Sequence, residues 1–470
     1  MPENKLLVRK AAVLGAGVMG AQIAAHLVNS GVPAVLFELP AKEGPRNGLV
    51  DKAIANLSKL SPSPVATKGV PAEIVGANYD DHLELLRGCD LIIEAVAERM
   101  DIKRSLYEKI APYISEGAIL ASNTSGLSIT ALSEALPEAL RPRFCGIHFF
   151  NPPRYMFLVE LIPTASTDPA TMDKLESYVT TTLGKRVVRA KDTPNFIGNR
   201  IGVFSIAATM HHTQAFGLGF DEVDALTGPL IGRPKSATYR TSDVVGLDTM
   251  AHVIKTMDDT LPNDPWHRYF KAPEWLKGLI AQGALGQKTG AGFFRKNGKV
   301  IEVLDIASGG YKPSNAEASA DAEGALRQKG WGARLAALRG SSDPQAQFMW
   351  SCFRDLFHYC AYQLEHIADN ARDVDFAIRW GYGWDQGPFE IWQQAGWMQV
   401  AQWIAEDIAA GKTMSSAPLP AWVLARGDAG VHAASGSYAP SIDGLRPRSA
   451  LPVYQRQYFP DAIYTESFDQ

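Results

Sequence analysis

Short apolar runs alternate with helix-spaced patterns through the first 190 residues. Ala11-Ala12-Val13-Leu14 is an unbroken apolar run, as are residues 34–37, and each predicts a strand buried on both faces. Between them a glycine cluster leads into Ile23, Leu27 and Val28 at helical spacing. Residues 90–94, 118–121 and 143–147 are further strand-like runs, and Leu158-Val159-Glu160-Leu161 is another apolar run. This alternation predicts a parallel sheet covered by helices on both sides. Leu60-Ser61-Pro62-Ser63-Pro64 interrupts a helical pattern that begins near Asn47 and predicts an exposed arm.

From Asn199 onward strand signals thin out, and apolar residues recur at helical spacing to about Gly217. Two later segments resemble each other. Asp221-Glu222-Val223-Asp224 is followed by Gly228-Pro229, Gly232 and Gly246; Arg372-Asp373-Val374-Asp375 is followed by Gly381, Gly383, Gly387-Pro388 and Gly396. Asp224 to Gly246 spans 22 residues and Asp375 to Gly396 spans 21, so matched order and spacing argue for duplication. Residues 308–323, rich in Ala, Ser, Gly and Pro, read as a linker. The expected architecture is an α/β Rossmann-type N-terminal domain (1–198) followed by two all-α domains related by duplication. These occupy 199–300 and 325–410, joined by a linker at 301–324 and followed by a loop-rich segment at 411–470.

A length of 470 residues suits about three domains. With 46 basic and 50 acidic residues the net charge is −4, which gives no reason to expect a nucleic-acid partner. No apolar stretch is long enough for a membrane-spanning helix, and residues 1–10 are too polar for a signal peptide. Cys89, Cys145, Cys352 and Cys360 include no C-x-x-C pair, so buried reduced thiols, no metal site and a cytoplasmic location are expected.

Gly15-Ala16-Gly17-Val18-Met19-Gly20 is a G-x-G-x-x-G motif set directly after a predicted strand and opening a predicted helix. Gly15 permits the turn, Gly17 lets the backbone approach a pyrophosphate, and Gly20 lets helix and strand pack closely. Val18 and Met19 open the helix whose N-terminus would receive the phosphates. Glu38 ends the second strand, 18 residues beyond Gly20, near the distance expected of the ribose-binding acid. A carboxylate there favours NAD over NADP.

Ser122-Asn123-Thr124-Ser125 follows a predicted strand end, where open α/β sheets bind ligands. Next come Gly146-Ile147-His148-Phe149-Phe150-Asn151-Pro152 and Leu158-Val159-Glu160-Leu161. If these runs are neighbouring strands, His148 falls within a position or two of opposite Glu160. A carboxylate-held histidine is the arrangement of an oriented general base. The other nine histidines lack such company; His211-His212 reads as a half-exposed pair on a helix, and the Trp380 to Trp397 stretch reads as core packing.

With these residues in hand, the chain resembles the L-3-hydroxyacyl-CoA dehydrogenase family of fatty-acid β-oxidation. The dinucleotide motif carries the resemblance together with Ile93-Glu94-Ala95-Val96-Ala97-Glu98 and Lys103, Ser122-Asn123-Thr124-Ser125, His148-Phe149-Phe150-Asn151-Pro152 and Leu158-Val159-Glu160. So do Pro194-Asn195-Phe196-Ile197-Gly198-Asn199-Arg200, Asp243-Val244-Val245-Gly246-Leu247-Asp248 and Gly286-Gln287-Lys288-Thr289-Gly290-Ala291-Gly292-Phe293. The resemblance implies NAD-dependent oxidation of an L-3-hydroxyacyl-CoA to the 3-ketoacyl-CoA. It makes His148 the base and Glu160 its partner, with Ser122 and Asn199 positioning the substrate oxygen. Glu98, Lys103, Asn151 and Lys288 would line the cofactor site, and either Lys59 or Lys68 would meet the CoA phosphates. Three departures stand out: Glu38 in place of Asp, Arg99 in place of Asn, and Asn195 in place of Gly. The doubled helical region resembles the long members that carry an enoyl-CoA hydratase module, and no such module is visible after residue 400.

Two other readings share the scaffold: a dehydrogenase of a small free 3-hydroxy acid, and a non-catalytic structural relative. The intact set of Ser122, His148, Glu160 and Asn199 argues against the second. In the family the helical domain is where two chains meet. The chain is therefore expected to be a monomer with an internal pseudo-dimer, or a homodimer, with an acyl-CoA as its small-molecule partner.

Overall fold

The computed structural model describes residues 5–456; residues 1–4 and 457–470, including the end of the tail predicted to be loop-rich, lie outside the described residues. The described residues form two compact units, 5–196 with 449–456, and 197–448.

The first unit is built on β1 (Ala11–Leu14), α1 (Val18–Asn29), β2 (Ala34–Glu38), α2 (Gly48–Asn56), α3 (Val70–Glu73), β3 (Ile74–Asn78), β4 (Leu91–Glu94) and α4 (Met100–Ile110). It continues with β5 (Ile119–Ser122), α5 (Ile129–Ser133), β6 (Phe144–Phe149), β7 (Leu158–Ile162), α6 (Pro169–Thr181) and β8 (Arg186–Arg189). The strands lie in the order β3-β2-β1-β4-β5-β6-β7-β8. Neighbours pair in parallel except β6 and β7, which are antiparallel. Central strands β1 and β5 are buried at every position, which is why they read as unbroken apolar runs rather than alternating ones. Strand order reverses between β1 and β4. The crevice beyond their carboxyl ends is the ligand position of such sheets.

The second unit runs α7 (Gly198–Phe216), α8 (Phe220–Leu226), α9 (Tyr239–Val245), α10 (Leu247–Thr260), α11 (Glu274–Ala281), β9 (Phe294–Asn297), β10 (Val300–Leu304) and β11 (Tyr311–Pro313). Then come α12 (Ala320–Leu326), α13 (Trp331–Gly340), α14 (Pro344–Ile367), α15 (Ala371–Tyr382), α16 (Pro388–Gln394), α17 (Trp397–Ala409), α18 (Ala421–Ala425), β12 (His432–Ala433), β13 (Gly436–Ala439) and β14 (Gly444–Arg446). It is mainly helical but not all-α, since β9–β11 and β12–β14 each form a three-stranded sheet.

The stretch expected to be a linker is ordered. Its Ser-Gly-Gly composition makes the turn of the β10–β11 hairpin, where Asp305 accepts from Ser308 and Gly309 takes φ +68°. Ser319 then caps α12 through Ala322 N–H at 3.1 Å. Turn residues and linker residues share one composition, so the pattern could not separate them.

Asp224, at the end of α8, accepts from the backbone N–H groups of Thr238, Tyr239 and Arg240 at 2.7–3.0 Å and so holds the start of α9. Burial still pushes its carboxyl up to about 7. Asp375, on α15, accepts from Phe389 N–H at 2.8 Å at the start of α16. Gly246 precedes α10 with φ +100°, and Gly396 precedes α17 with φ +99°.

Two readings of histidines change. His212 is buried rather than half-exposed, with Nε2 2.8 Å from Asp355 Oδ2 on α14. His432 lies between Asp375 (2.7 Å) and Ser437 (2.9 Å). That resembles a nucleophile triad on paper, but all three residues are at most 3% exposed, so it pins the C-terminal hairpin instead. Trp392 and Trp397 stack in the core with centroids 4.2 Å apart.

Candidate active site

Three strand ends of the first unit converge on one crevice. After β1 the chain turns at Gly15, whose φ of +100° favours glycine and where a Cβ would lie 2.8 Å from Ala95 O. A Cβ at Gly20 would lie 1.8 Å from Gly15 O, so helix and turn touch there. Gly17 differs from both: nothing lies within 4 Å of a Cβ built on it, and Val18 beside it is 69% exposed. No side chain caps the first turn of α1. Two glycines are thus demanded by packing, and the third leaves backbone open above a helix N-terminus. This is the cradle a pyrophosphate needs, so the residues fit a dinucleotide.

Glu38, at the end of β2, accepts from Ala16 N–H at 2.7 Å and Leu39 N–H at 2.9 Å. Its carboxylate therefore sits against the glycine turn. Asn151 lies beside α1, accepting from Gln22 Nε2 at 3.3 Å.

His148 on β6 stands directly opposite Glu160 on β7. Its Nδ1 is 2.7 Å from Glu160 Oε2, and the two residues are 4% and 0% exposed. Phe150 and Phe196 flank the imidazole, with centroids 4.5 and 5.7 Å away. With Nδ1–H donated to the carboxylate, the lone pair of the neutral ring lies on Nε2, the atom a general base uses.

The cluster beside this pair was only partly visible from sequence. Glu94, fully buried at the end of β4, accepts from Lys103 Nζ (2.6 Å), the Tyr107 hydroxyl (2.9 Å), the Ser122 hydroxyl (2.7 Å) and Val96 N–H (2.8 Å). Lys103 is 1% exposed and also lies 3.5 Å from Glu98, so its single charge stands between two carboxylates and closest to Glu94. Glu98 in turn accepts from the Thr124 hydroxyl and from the N–H groups of Ser125 (2.8 Å) and Gly126 (3.2 Å), fixing the loop after β5. Ser122 is enclosed and donates to Glu94. Lys103 and Tyr107, four residues apart on α4, share the face that meets Glu94. That spacing was the available signal.

Lys59 and Lys68 are both exposed; Lys59 Nζ lies 3.3 Å from Asn56 Oδ1. The segment between them is tied down rather than free. Asn29 donates to Pro64 O, Arg154 to Ser63 O and Val65 O, and the Tyr155 hydroxyl to Ser63 O, all within 2.9 Å. Arg99 is paired with Asp101. Asn195 takes φ +64°, a conformation glycine favours and Asn tolerates, so the Gly-to-Asn departure keeps a left-handed backbone.

Asn199 and Lys288 belong to the second unit. Lys288 pairs with both oxygens of Asp248 at 2.6 and 2.7 Å. Asp243 accepts from Phe293 and Phe294 N–H at 2.8 Å, which joins the two motifs that contain them. Asn199 opens α7. Nearby, a shallow cleft is lined by Gly202, Ser205, Thr238, Tyr382, Trp384 and Arg233, whose guanidinium lies 3.6 Å over the Trp384 ring.

Residues 10–193 match the family described as "3-hydroxyacyl-CoA dehydrogenase, NAD binding domain", and residues 196–296 match "3-hydroxyacyl-CoA dehydrogenase, C-terminal domain". The chain belongs to the 3-hydroxyacyl-CoA dehydrogenase family. Its first unit carries the NAD-binding domain of that NAD-dependent dehydrogenase family. The chain is 38% identical over 431 residues to a Bacillus subtilis protein named "Probable 3-hydroxyacyl-CoA dehydrogenase", covering 88% of this chain and 54% of that one. It thus spans about half the length of that relative. A protein of the same name from Deinococcus radiodurans is 40% identical over 314 residues, 67% of this chain and 90% of its own length. The crystal structure of an Escherichia coli 3-hydroxybutyryl-CoA dehydrogenase shares the fold, with a TM-score of 0.66 over 90% of this chain and 98% of that one at 20% identity. Among the described residues no helix is long and apolar enough to cross a membrane.

Proposed function

We propose that the chain oxidises an L-3-hydroxyacyl-CoA reversibly to the 3-ketoacyl-CoA, as a step of fatty-acid β-oxidation. The observation that carries this reading is the buried His148–Glu160 pair, opposite each other across β6 and β7 beside the dinucleotide crevice. Gly15, Gly17, Gly20, Glu38 and Asn151 would hold NAD, which when bound would supply the acceptor for the hydride that leaves C3. His148 Nε2 takes the hydroxyl proton. Glu160 holds Nδ1–H in place and offsets the imidazolium charge that forms. Ser122, whose proton is donated to Glu94, borders the substrate oxygen without competing for the hydroxyl proton that His148 takes. Asn199 holds the same oxygen in line with the base. Glu98 and Lys103 shape the loop that borders the cofactor, and Lys59 or Lys68 meets the CoA phosphates.

Turnover with NADH tests the reading by comparing acetoacetyl-CoA with free acetoacetate. Acetoacetyl-CoA should be strongly preferred. Preference for the free acid would assign the chain to small 3-hydroxy acids instead, and no turnover of either would leave a non-catalytic relative.

Cofactor choice gives a separate prediction. The Glu38 carboxylate should make NADP a poor substitute by repelling its 2′-phosphate. Glu38→Ala should narrow the gap, mainly through KM for NADP, measured as kcat/KM for both cofactors. An unchanged ratio would show that Glu38 does not read the ribose.

The second unit is read as a duplication in which the later helices occupy the place of a partner subunit. The matching roles of Asp224 and Asp375 at helix starts support this, as do the paired glycines Gly246 and Gly396. Helix α7 is buried along most of its length, and Phe204 on it stacks on Tyr359 of α14 with centroids 3.7 Å apart. Removing residues 325 onward should uncover that face and cause dimerisation or aggregation. A soluble, monomeric product of unchanged stability in light scattering and melting would defeat the pseudo-dimer.

A further inference from the structure

We infer that Tyr382 is a positioning residue for Asn199, holding its amide so that Nδ2 is left for the substrate oxygen. The inference rests on the role proposed above for Asn199. Tyr382 closes α15, in the later half of the second unit, which carries none of the catalytic residues proposed above. Its hydroxyl donates to Asn199 Oδ1 at 3.4 Å. Its ring lies against Gly202, three residues along α7, in a notch that only glycine can leave. A Cβ at Gly202 would stand 1.9 Å from the ring Cζ and 2.3 Å from the hydroxyl oxygen.

The neighbouring residue is held from the same side. Arg200 is 5% exposed; its Nε donates to the Tyr359 hydroxyl at 2.7 Å and its Nη2 to Gln363 Oε1 at 3.1 Å, both on α14. Nη2 also reaches Asp264 Oδ2 at 3.1 Å. The start of α7 is therefore clamped by two helices of the later half, one bonding Arg200 and one bonding Asn199.

An Asn amide has an acceptor end and a donor end, and they are nearly the same size. With Oδ1 occupied by the Tyr382 hydroxyl, Nδ2 is the end left for a ligand. The reacting oxygen begins as a hydroxyl, gains negative charge as its proton leaves, and ends as a carbonyl that only accepts. A donor aimed at it gains strength along the reaction, whereas a flipped amide would set oxygen against oxygen. With its proton on Oδ1, the Tyr382 hydroxyl holds the amide in the orientation that leaves Nδ2 for the substrate. A merely structural Tyr382 would fill the notch equally well as Phe, so removal of the hydroxyl alone separates the two roles.

The experiment compares the full chain with Tyr382→Phe, Asn199→Ala and the double variant, using NADH and acetoacetyl-CoA and recording a thermal melt for each. Tyr382→Phe should lower kcat by about three- to tenfold, the size of one net hydrogen bond, with an unchanged melt and little change in KM. Asn199→Ala should lower kcat further, and the double variant should be no slower than Asn199→Ala. Gly202→Ala, which pushes the ring away, should reproduce the Tyr382→Phe loss. Wild-type kcat in Tyr382→Phe while Asn199→Ala is slow would overturn the role of Tyr382 alone, as would additive losses in the double variant. Full activity in Asn199→Ala would overturn the role of Asn199, and the inference with it.

Discussion

Replacing His148 with Gln lowers kcat by roughly 10²-fold or more, the contribution expected of a positioned general base. The dinucleotide crevice is formed by other strand ends, so NAD binding and the melting temperature should stay near their original values. Glu160→Gln acts through the same ring. An amide can still accept from Nδ1–H, so the imidazole keeps its orientation, but the forming imidazolium loses its counter-charge. A smaller fall in kcat is therefore expected, and the double variant should be little slower than His148→Gln. Steady-state kinetics with acetoacetyl-CoA and an NAD titration decide the matter. Near-normal turnover by His148→Gln would remove it from the mechanism, and additive losses would mean that the pair does not act as a unit.

Lys103→Met should be the most damaging single change to stability among those considered. Glu94 is 0% exposed and Lys103 1%, so removing the ammonium leaves a carboxylate buried without its counter-ion. Breaking such a pair typically costs about 3–5 kcal/mol. Glu94 also holds the Ser122 hydroxyl, so catalysis should suffer in whatever fraction folds. Glu94→Gln combined with Lys103→Met removes both charges and should recover much of the lost stability. Urea unfolding of the three variants gives the comparison. A cost below about 1 kcal/mol for Lys103→Met would show that the pair is dispensable.

Local pattern carried much of the dinucleotide crevice. A strand, a tight turn and a helix start are consecutive in the chain, and each glycine's duty follows from its position in that turn. The pairing of His148 with Glu160 was also within reach, because a short connection between two strands confines register to a position or two. The observed register places them directly opposite. In the helical unit the repeated Asp and Gly spacing argued for duplication, and the structure puts both Asp carboxylates at helix starts.

Other features needed contacts that sequence separation hides. His212 meets Asp355 across 143 positions, His432 meets Asp375 across 57, and Arg200 meets Gln363 across 163. No periodicity links such positions, so those histidines looked solitary until the helices were packed. Ser122 shows the complementary case. Its place at a strand end was legible, but the direction of its hydroxyl was set by Glu94 from the neighbouring strand. The stretch taken for a linker became a hairpin turn because β10 found strands on both sides. Hydrogen bonding and periodicity along the chain act within a few residues and leave their mark in composition and spacing. Burial of charge, and the choice of partner for each polar group, depend on which surfaces meet, and that is decided only when the helices and sheets close on one another.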